Sequence, residues 1–359
     1  MKPWVKEKLA RIEELYPPER IQKSKKRWHS IWSGKTPCDR YPFAYLPRSF
    51  NYYDDVFTKE EGLEKYLDEF ILRGAIDDDF IPAFFPGCRT ATIPNMFGAE
   101  EVVQGNDHAC KKIIFAPEDI DNLPEPSMAP GTIAHEWLDM QKYYMEETEG
   151  RIPIHPADMQ GPLDICGQLW GYDNILAAPY DEEPEYYDKL MSKATAAYIM
   201  FWKAQRDLLG DCFVGTHLFG WDYVPPNNGA SLSADSMAMI SPGFFDEYYK
   251  PYLNEIGNAL GSLAVHSCGN FSAVIKDLCA IEHVKAVNAG QMSIEEMLSA
   301  GLDSKMVVIA QDTVMNAEQV FGLVRKHNLL PQITFHGLWD QAHPEAMHKQ
   351  MQEWASISG

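Results

Sequence analysis

A 359-residue chain with 52 acidic against 31 basic side chains has a formal charge of −21, which argues against nucleic acid and anionic membrane as partners, because a phosphate surface needs a basic face. Apolar residues make up 45%, no run reaches eighteen consecutive apolar residues, and the opening MKPWVKEKLARIEELYPPER lacks the hydrophobic core of a signal peptide, so a soluble cytoplasmic protein is expected. Seven cysteines without a CxxC pair or a regular spacing point to reduced thiols, not to a disulfide framework.

Residues 1–30 hold nine Lys and Arg against four Glu, which suggests a helical arm lying on the acidic body, on a partner or on a second subunit of a homodimer. Candidate strands in the first half are YPFAYL (41–46), KIIFA (112–116) and RIPIHP (151–156). From residue 185 the alternation is plainer. A long helix at 185–209 precedes the strand CFVGTH (212–217) and the loop GWDYVPPNNGAS. Ser241-Pro242 opens a helix that runs to about 260, followed by the strand LAVHS (263–267) and the helix FSAVIKDLCA. VKAVN (284–288) precedes a helix opened by the capping box Ser293-Ile294-Glu295-Glu296. KMVVIA (305–310) leads into a helix at 316–327, and PQITFH (331–336) into the last one at 344–356. Short strands alternating with helices imply parallel βαβ units. At this length they fit a single (β/α)8 TIM barrel at 31–359 with the 1–30 helical extension, an open doubly wound sheet being the alternative. Neither GxGxxG nor GxxxxGK[ST] occurs, so dinucleotide and nucleoside triphosphate sites lack support.

A barrel of this kind builds its active site at the C-terminal ends of its strands. His155, Asp158 and Gln160 follow one predicted strand, and His217 and Asp222 follow the next. His266 and Cys268 end another, then come Asn288 with Gln291, Gln311 with Asp312, and His336 with Asp340. His266 and Cys268, with one residue between them, read as a zinc pair or as a buried cysteine beside a satisfied histidine. His336 ends a strand on the same rim and would complete three protein ligands with a fourth position open, the arrangement of a catalytic zinc. Asp222 and Asp158 are candidate proton donors or substrate orienters, although loop aspartates also serve as caps. Trp170, Tyr172, Trp221, Tyr223 and Trp339, with Phe219, could line an apolar pocket or simply pack the rim; His217, Asn288, Gln291 and Asp312 are its polar candidates.

The run HSCGNFSAVIKDL resembles the HxCGN segment of the uroporphyrinogen decarboxylase superfamily, in its corrinoid-dependent methyltransferase branch. SGKTPCDRYPF (33–43), MQGPLDICGQLWG (159–171) and ISPGFFDEYYKPYL (240–253) resemble further segments of that superfamily, over roughly residues 30 to 355. The resemblance implies a zinc ion held by His266 and Cys268. FHGLWDQAHPEAM (335–347) is similar to the terminal segment that carries the third ligand, a cysteine before glycine in the methyltransferases; His336 stands there here, with His343 as a nearby competitor. The implied reactions are removal of a methyl group from a substrate such as an aryl methyl ether to cob(I)alamin, or transfer from methylcobalamin to a thiol. Two histidines and one cysteine leave zinc at about +1, which leans toward an ether oxygen. No Asp-x-His-x-x-Gly run is present, so cobalamin would arrive on a separate corrinoid protein. A tetrapyrrole decarboxylase is the second enzymatic reading, with Asp79 the nearest pyrrole-binding candidate, although ten arginines in an acidic chain suit an octacarboxylate poorly. A non-catalytic ligand-binding barrel is the third.

Overall fold

The computed structural model describes residues 1–37, 39–46, 58–104, 107–181, 184–215, 222–228, 230–310, 317–329 and 332–359. The basic arm is two helices, α1 (Pro3–Leu15) and α2 (Pro18–Trp32), split where Pro17 and Pro18 deny the chain helical hydrogen bonds. Val5, Leu9 and Ile12 recur at helical spacing and are buried, and α1 packs on α3 (Lys59–Arg73). Charge complementarity fixes the docking: Lys8 reaches Asp68 at 2.7 Å and Lys2 reaches Glu60 at 2.5 Å. Of the three placements open to the arm, the structure therefore shows it on the body of its own chain.

The architecture is mixed α/β with parallel sheets. β1 (Phe43–Leu46) pairs in parallel with β8 (Phe335–Leu338), the one antiparallel hairpin among the described strands joins β2 (Glu101–Gln104) to β3 (Asp107–Cys110), and β4 (Ala230–Ser233), β5 (Leu263–Ser267), β6 (Val284–Ala289) and β7 (Val307–Ala310) form a parallel sheet in that order. Isolated parallel bridges continue the pattern: Phe84 with Ile154, Ile154 with Phe213, Gln160 with Ser233, and Val308 with Ile333. The Asp79 N–H donates to the Phe43 carbonyl at 2.8 Å. The helix Pro344–Ser358 packs on β1 and β8 through Trp354, whose ring meets Phe335 at a tilt with centroids 4.7 Å apart and Phe43 at 5.3 Å.

Several expectations change. KIIFA forms no strand; the N–H groups of Ile113 and Ile114 both donate to the Leu169 carbonyl at 3.1 Å, so this apolar run lies against the end of the helix Pro162–Trp170. The neighbour of Ile154 is Phe84, in a stretch whose three aspartates and proline disguise it. RIPIHP contracts to one bridging residue, Ile154, and CFVGTH to isolated bridges at Phe213 and Gly215, the latter antiparallel to Val224; positions 216–217 lie outside the described residues. Ala230 and Ser231, read as loop, belong to β4, whose small polar residues carry little strand propensity of their own.

The helix opened by Ser241-Pro242 runs to Leu260 through a π-helical turn at Phe245–Tyr249, which accommodates the missing N–H and the ring of Pro251. The capping box at Ser293 is present: its hydroxyl accepts the Glu296 N–H at 3.2 Å, and the Glu296 carboxylate accepts the Ser293 N–H at 2.8 Å. Among the described residues no helix is long and apolar enough to cross a membrane.

Candidate metal centre

Strand register delivers the site. Ser233 on β4, His266 on β5, Asn288 on β6 and Ile309 on β7 stand opposite one another in consecutive pairs near the C-terminal strand ends. The Asn288 amide nitrogen donates to the Ile309 carbonyl at 2.9 Å, which turns its oxygen toward His266. That oxygen accepts the Nδ1–H of His266 at 2.5 Å, so the ring is held in the Nδ1–H tautomer and presents the lone pair of Nε2. Nε2 lies 3.1 Å from the Cys268 Sγ and 3.8 Å from Oδ1 of Asp235. The Cys268 N–H donates to that same Oδ1 at 2.6 Å, and the Ala234 N–H donates to the His266 carbonyl at 2.8 Å, tying the segment after β4 to the segment after β5.

One ligand atom from each of Asp235, His266 and Cys268 falls within 4.8 Å of the other two. Zinc bonds of about 2.0 to 2.3 Å place tetrahedral ligand atoms roughly 3.3 to 3.8 Å apart. The Nε2–Sγ and Nε2–Oδ1 separations of 3.1 and 3.8 Å lie close to that range, so the three side chains could hold a single small cation. His266 is buried while Cys268 is exposed, which leaves one side of the trio open. Two glycines permit the packing: a Cβ on Gly269 would sit 2.4 Å from that of Ala238, and one on Gly290 would sit 3.1 Å from the Cys268 Cα.

Two further carboxyl groups lie beneath the trio. Asp158 is buried and takes the Ser233 hydroxyl at 3.2 Å; burial, with Asp235 nearby, pushes it up to about 7. Asp164, with no exposed surface, is likewise pushed up to about 7 by burial and by Asp235. Although the Cys268 residue is exposed, partial burial of its sulfur together with the carboxylates of Asp235, Asp158 and Asp164 pushes the thiol up to about 12 in the metal-free chain, so a cation bound there would displace a proton.

These shifts set a pH dependence. A carboxyl group raised on folding binds more protons folded than unfolded between its ordinary value near 4 and about 7, so stability is lost as pH rises across that window. Metal-free protein is expected to show a falling urea midpoint from pH 4.5 to 7.5, with a flatter profile in Asp158→Asn. A midpoint that rises over this range contradicts the assignment.

Comparison with solved structures then places the fold. In fold the chain resembles a methyltransferase from Methanosarcina mazei. The two superpose with a TM-score of 0.62 over 93% of this chain and 98% of the other, at 12% sequence identity. No protein-family model matches the chain, and no curated protein matches it.

On this methyltransferase-like fold the expected site residues divide. His266 and Cys268 meet, and the third metal-compatible side chain beside them is Asp235, which sequence reading passed over; within SADS it has the look of an ordinary cap. His336 stands on β8, where its Nε2 donates to Asp222 at 2.5 Å, with both side chains fully buried. His343 is exposed at the start of the last helix and paired with Asp340 at 2.8 Å. Neither histidine belongs to the trio. Asn288 orients His266, as described, and Asp158 sits beneath Ser233.

The aromatic candidates mostly pack. Trp170 is buried at the end of the helix Pro162–Trp170, and the Tyr172 hydroxyl donates to Asp164 at 3.3 Å. Tyr223 packs with Trp28 of α2, Ala44, Ile81, Ala83 and Val214, and Trp339 meets Tyr45 edge-on at 6.3 Å. Gln291 is exposed. His217, Trp221 and Asp312 lie outside the described residues, as do Phe219 and Gln311.

If Asn288 holds the tautomer, Asn288→Ala should weaken zinc affinity by about 10- to 100-fold while the protein stays folded. A competition titration against a chromophoric chelator reads this directly, and unchanged affinity would remove Asn288 from the account.

Proposed function

We propose that this chain is a zinc-dependent methyltransferase working with a corrinoid carried by a separate cytoplasmic protein, and that its most favoured reaction removes a methyl group from an oxygen, as in an aryl methyl ether. The observation that carries the reading is the trio of Asp235, His266 and Cys268, with His266 held in a metal-ready tautomer. A (β/α)8 barrel is the architecture proposed for it. Support comes from the parallel neighbours that lead from β1 through Asp79, Phe84, Ile154 and Phe213, and from Gln160 through β4, β5, β6 and β7 to Ile333 and back through β8. The corrinoid rests on the HSCGN resemblance.

Asp235 replaces His336 as the proposed third ligand, since the His336 Nε2 is engaged with Asp222. Bound zinc would supply Lewis acidity to the heteroatom of the substrate. Asp158, pushed up to about 7 by burial in the metal-free chain, is placed to hold a proton, and a departing phenoxide needs one. Cys268, the exposed member, marks the side on which a substrate would enter.

A second reading is methyl transfer from methylcobalamin to a thiol. Ligand charge supports it, since one carboxylate and one thiolate with a neutral histidine would leave zinc formally neutral, which suits a nucleophilic bound thiolate; the raised Asp158 beneath the trio, a proton source for a departing phenoxide, keeps the ether reaction first. The decarboxylase reading loses its main residue. Both oxygens of Asp79 are occupied, Oδ1 by Arg27 at 2.6 Å and Ser24 at 3.0 Å, Oδ2 by Arg40 and by the Phe43 N–H at 2.9 Å, and the side chain has no exposed surface.

Zinc-loaded protein mixed with cob(I)alamin and methoxyaromatics, and separately with methylcobalamin and thiols, tests the proposal through the corrinoid spectrum. Methylcobalamin formed from an ether supports the first reading, and its consumption by a thiol supports the second. A spectrum that changes in neither mixture contradicts both and leaves a ligand-binding barrel.

A further inference from the structure

Asp164 is buried in the first turn of the helix Pro162–Trp170 and accepts three hydrogen bonds. Two come from the residue that follows Asp235: the Ser236 N–H at 2.9 Å and the Ser236 hydroxyl at 2.8 Å. The third comes from the Tyr172 hydroxyl at 3.3 Å. Asp235 in turn receives the Cys268 N–H at 2.6 Å. One line of bonds therefore runs from a helix through Ser236 and Asp235 to the loop bearing Cys268.

The chemistry of that line is unusual for a purely structural contact. A carboxylate without exposure, close to the charge of Asp235 and bonded to neutral donors, is costly to bury. An amide would make the same bonds at lower cost, because its oxygen accepts an N–H and its NH2 donates to a hydroxyl. What the bonds to Ser236 supply, from a carboxylate or an amide alike, is position. Asp235 is half-exposed and begins a short 3-10 turn at Asp235–Met239, so little else described holds its side chain except the Cys268 N–H.

We infer that Asp164 is a positioning residue for the metal centre, acting through Ser236 to set the distance between Asp235 and the His266–Cys268 pair. This rests on the proposed metal trio and adds a residue to it. Asp164 touches no ligand atom itself.

The test uses the full chain, first freed of metal and then titrated with zinc and with cobalt(II), whose visible spectrum reports coordination geometry. Asp164→Ala is expected to weaken zinc binding by about 10- to 100-fold and to alter the cobalt spectrum, whereas Asp164→Asn, which keeps the bonds to Ser236, should return both close to wild type. Ser236→Ala, a smaller change that serves if Asp164→Ala does not fold, should weaken binding by roughly tenfold. If wild-type protein binds metal and these alanine variants bind it as tightly with the same spectrum, the inference about Asp164 is overturned while the metal centre stands. If wild-type protein binds neither metal, the metal-centre reading fails and the inference falls with it.

Discussion

Cys268→Ala and His266→Ala are each expected to lower zinc affinity by more than about 100-fold and to abolish methyl transfer, since loss of a direct ligand must exceed the 10- to 100-fold effect of losing an outer partner. The two should differ in what they leave behind. Cys268 is exposed, so its truncation removes a ligand and little packing. His266 is buried, with its Nδ1–H on Asn288, so its truncation also strands the asparagine oxygen and should destabilise the metal-free fold by about 1 to 3 kcal/mol. His343→Ala should change neither affinity nor stability, because that ring is exposed and meets only Asp340 among the contacts described for it. Chelator competition and urea unfolding separate the three. Equal affinity in wild type and Cys268→Ala would eliminate the trio.

Asp79→Ala is expected to be the most destabilising single substitution of those considered, at about 3 to 5 kcal/mol, without any change in metal affinity of the protein that remains folded. The reason is what it abandons. Arg27 and Arg40 both direct a guanidinium nitrogen at this carboxylate and are nearly buried, and the Phe43 N–H that opens β1 donates to it as well. Trp28 adds its indole N–H to the Asp79 carbonyl at 2.9 Å, so α2, β1 and the 78–84 segment converge on one residue. Removing the carboxylate takes from the buried Arg40 the carboxylate it faces and leaves Arg27 with Asp39 alone, a larger loss than the pairs themselves contributed. Asp79→Asn should cost less, since an amide oxygen still accepts. A urea midpoint within experimental error of wild type for Asp79→Ala would show that the arm is not anchored here, and would reopen Asp79 as a ligand-binding residue.

The parallel half of the fold was readable because β5, β6 and β7 are apolar runs bounded by caps and turns, and because Ser293 and Glu296 mark a helix start by their spacing alone. The first half resisted for a physical reason. The strand-like neighbour of Ile154 is preceded by Asp77, which is exposed, and by Asp78 and Asp79, whose burial makes sense only once the arginines of α2 and α3 are folded against them. KIIFA misled in the opposite sense, being apolar enough for a strand but bonded to the end of a helix.

The site divides in the same way. His266 and Cys268 are neighbours in sequence, so their pairing was legible. Asp235 lies 31 residues before His266 and is brought to it by a parallel register that sets Ser233 opposite His266. No spacing rule encodes that. His336 does end a strand, but its ring faces Asp222, a partner 114 residues away.

The central claim is that Asp235, His266 and Cys268 hold one metal ion. Its most direct measurement is cobalt(II) titration of the metal-free chain, read in the thiolate-to-metal charge-transfer band. One equivalent should bind with that band present, the band should be lost in Cys268→Ser, and the d–d spectrum should change in Asp235→Asn. A wild-type chain that shows no charge-transfer band at saturating cobalt, or one whose band survives in Cys268→Ser, would contradict it.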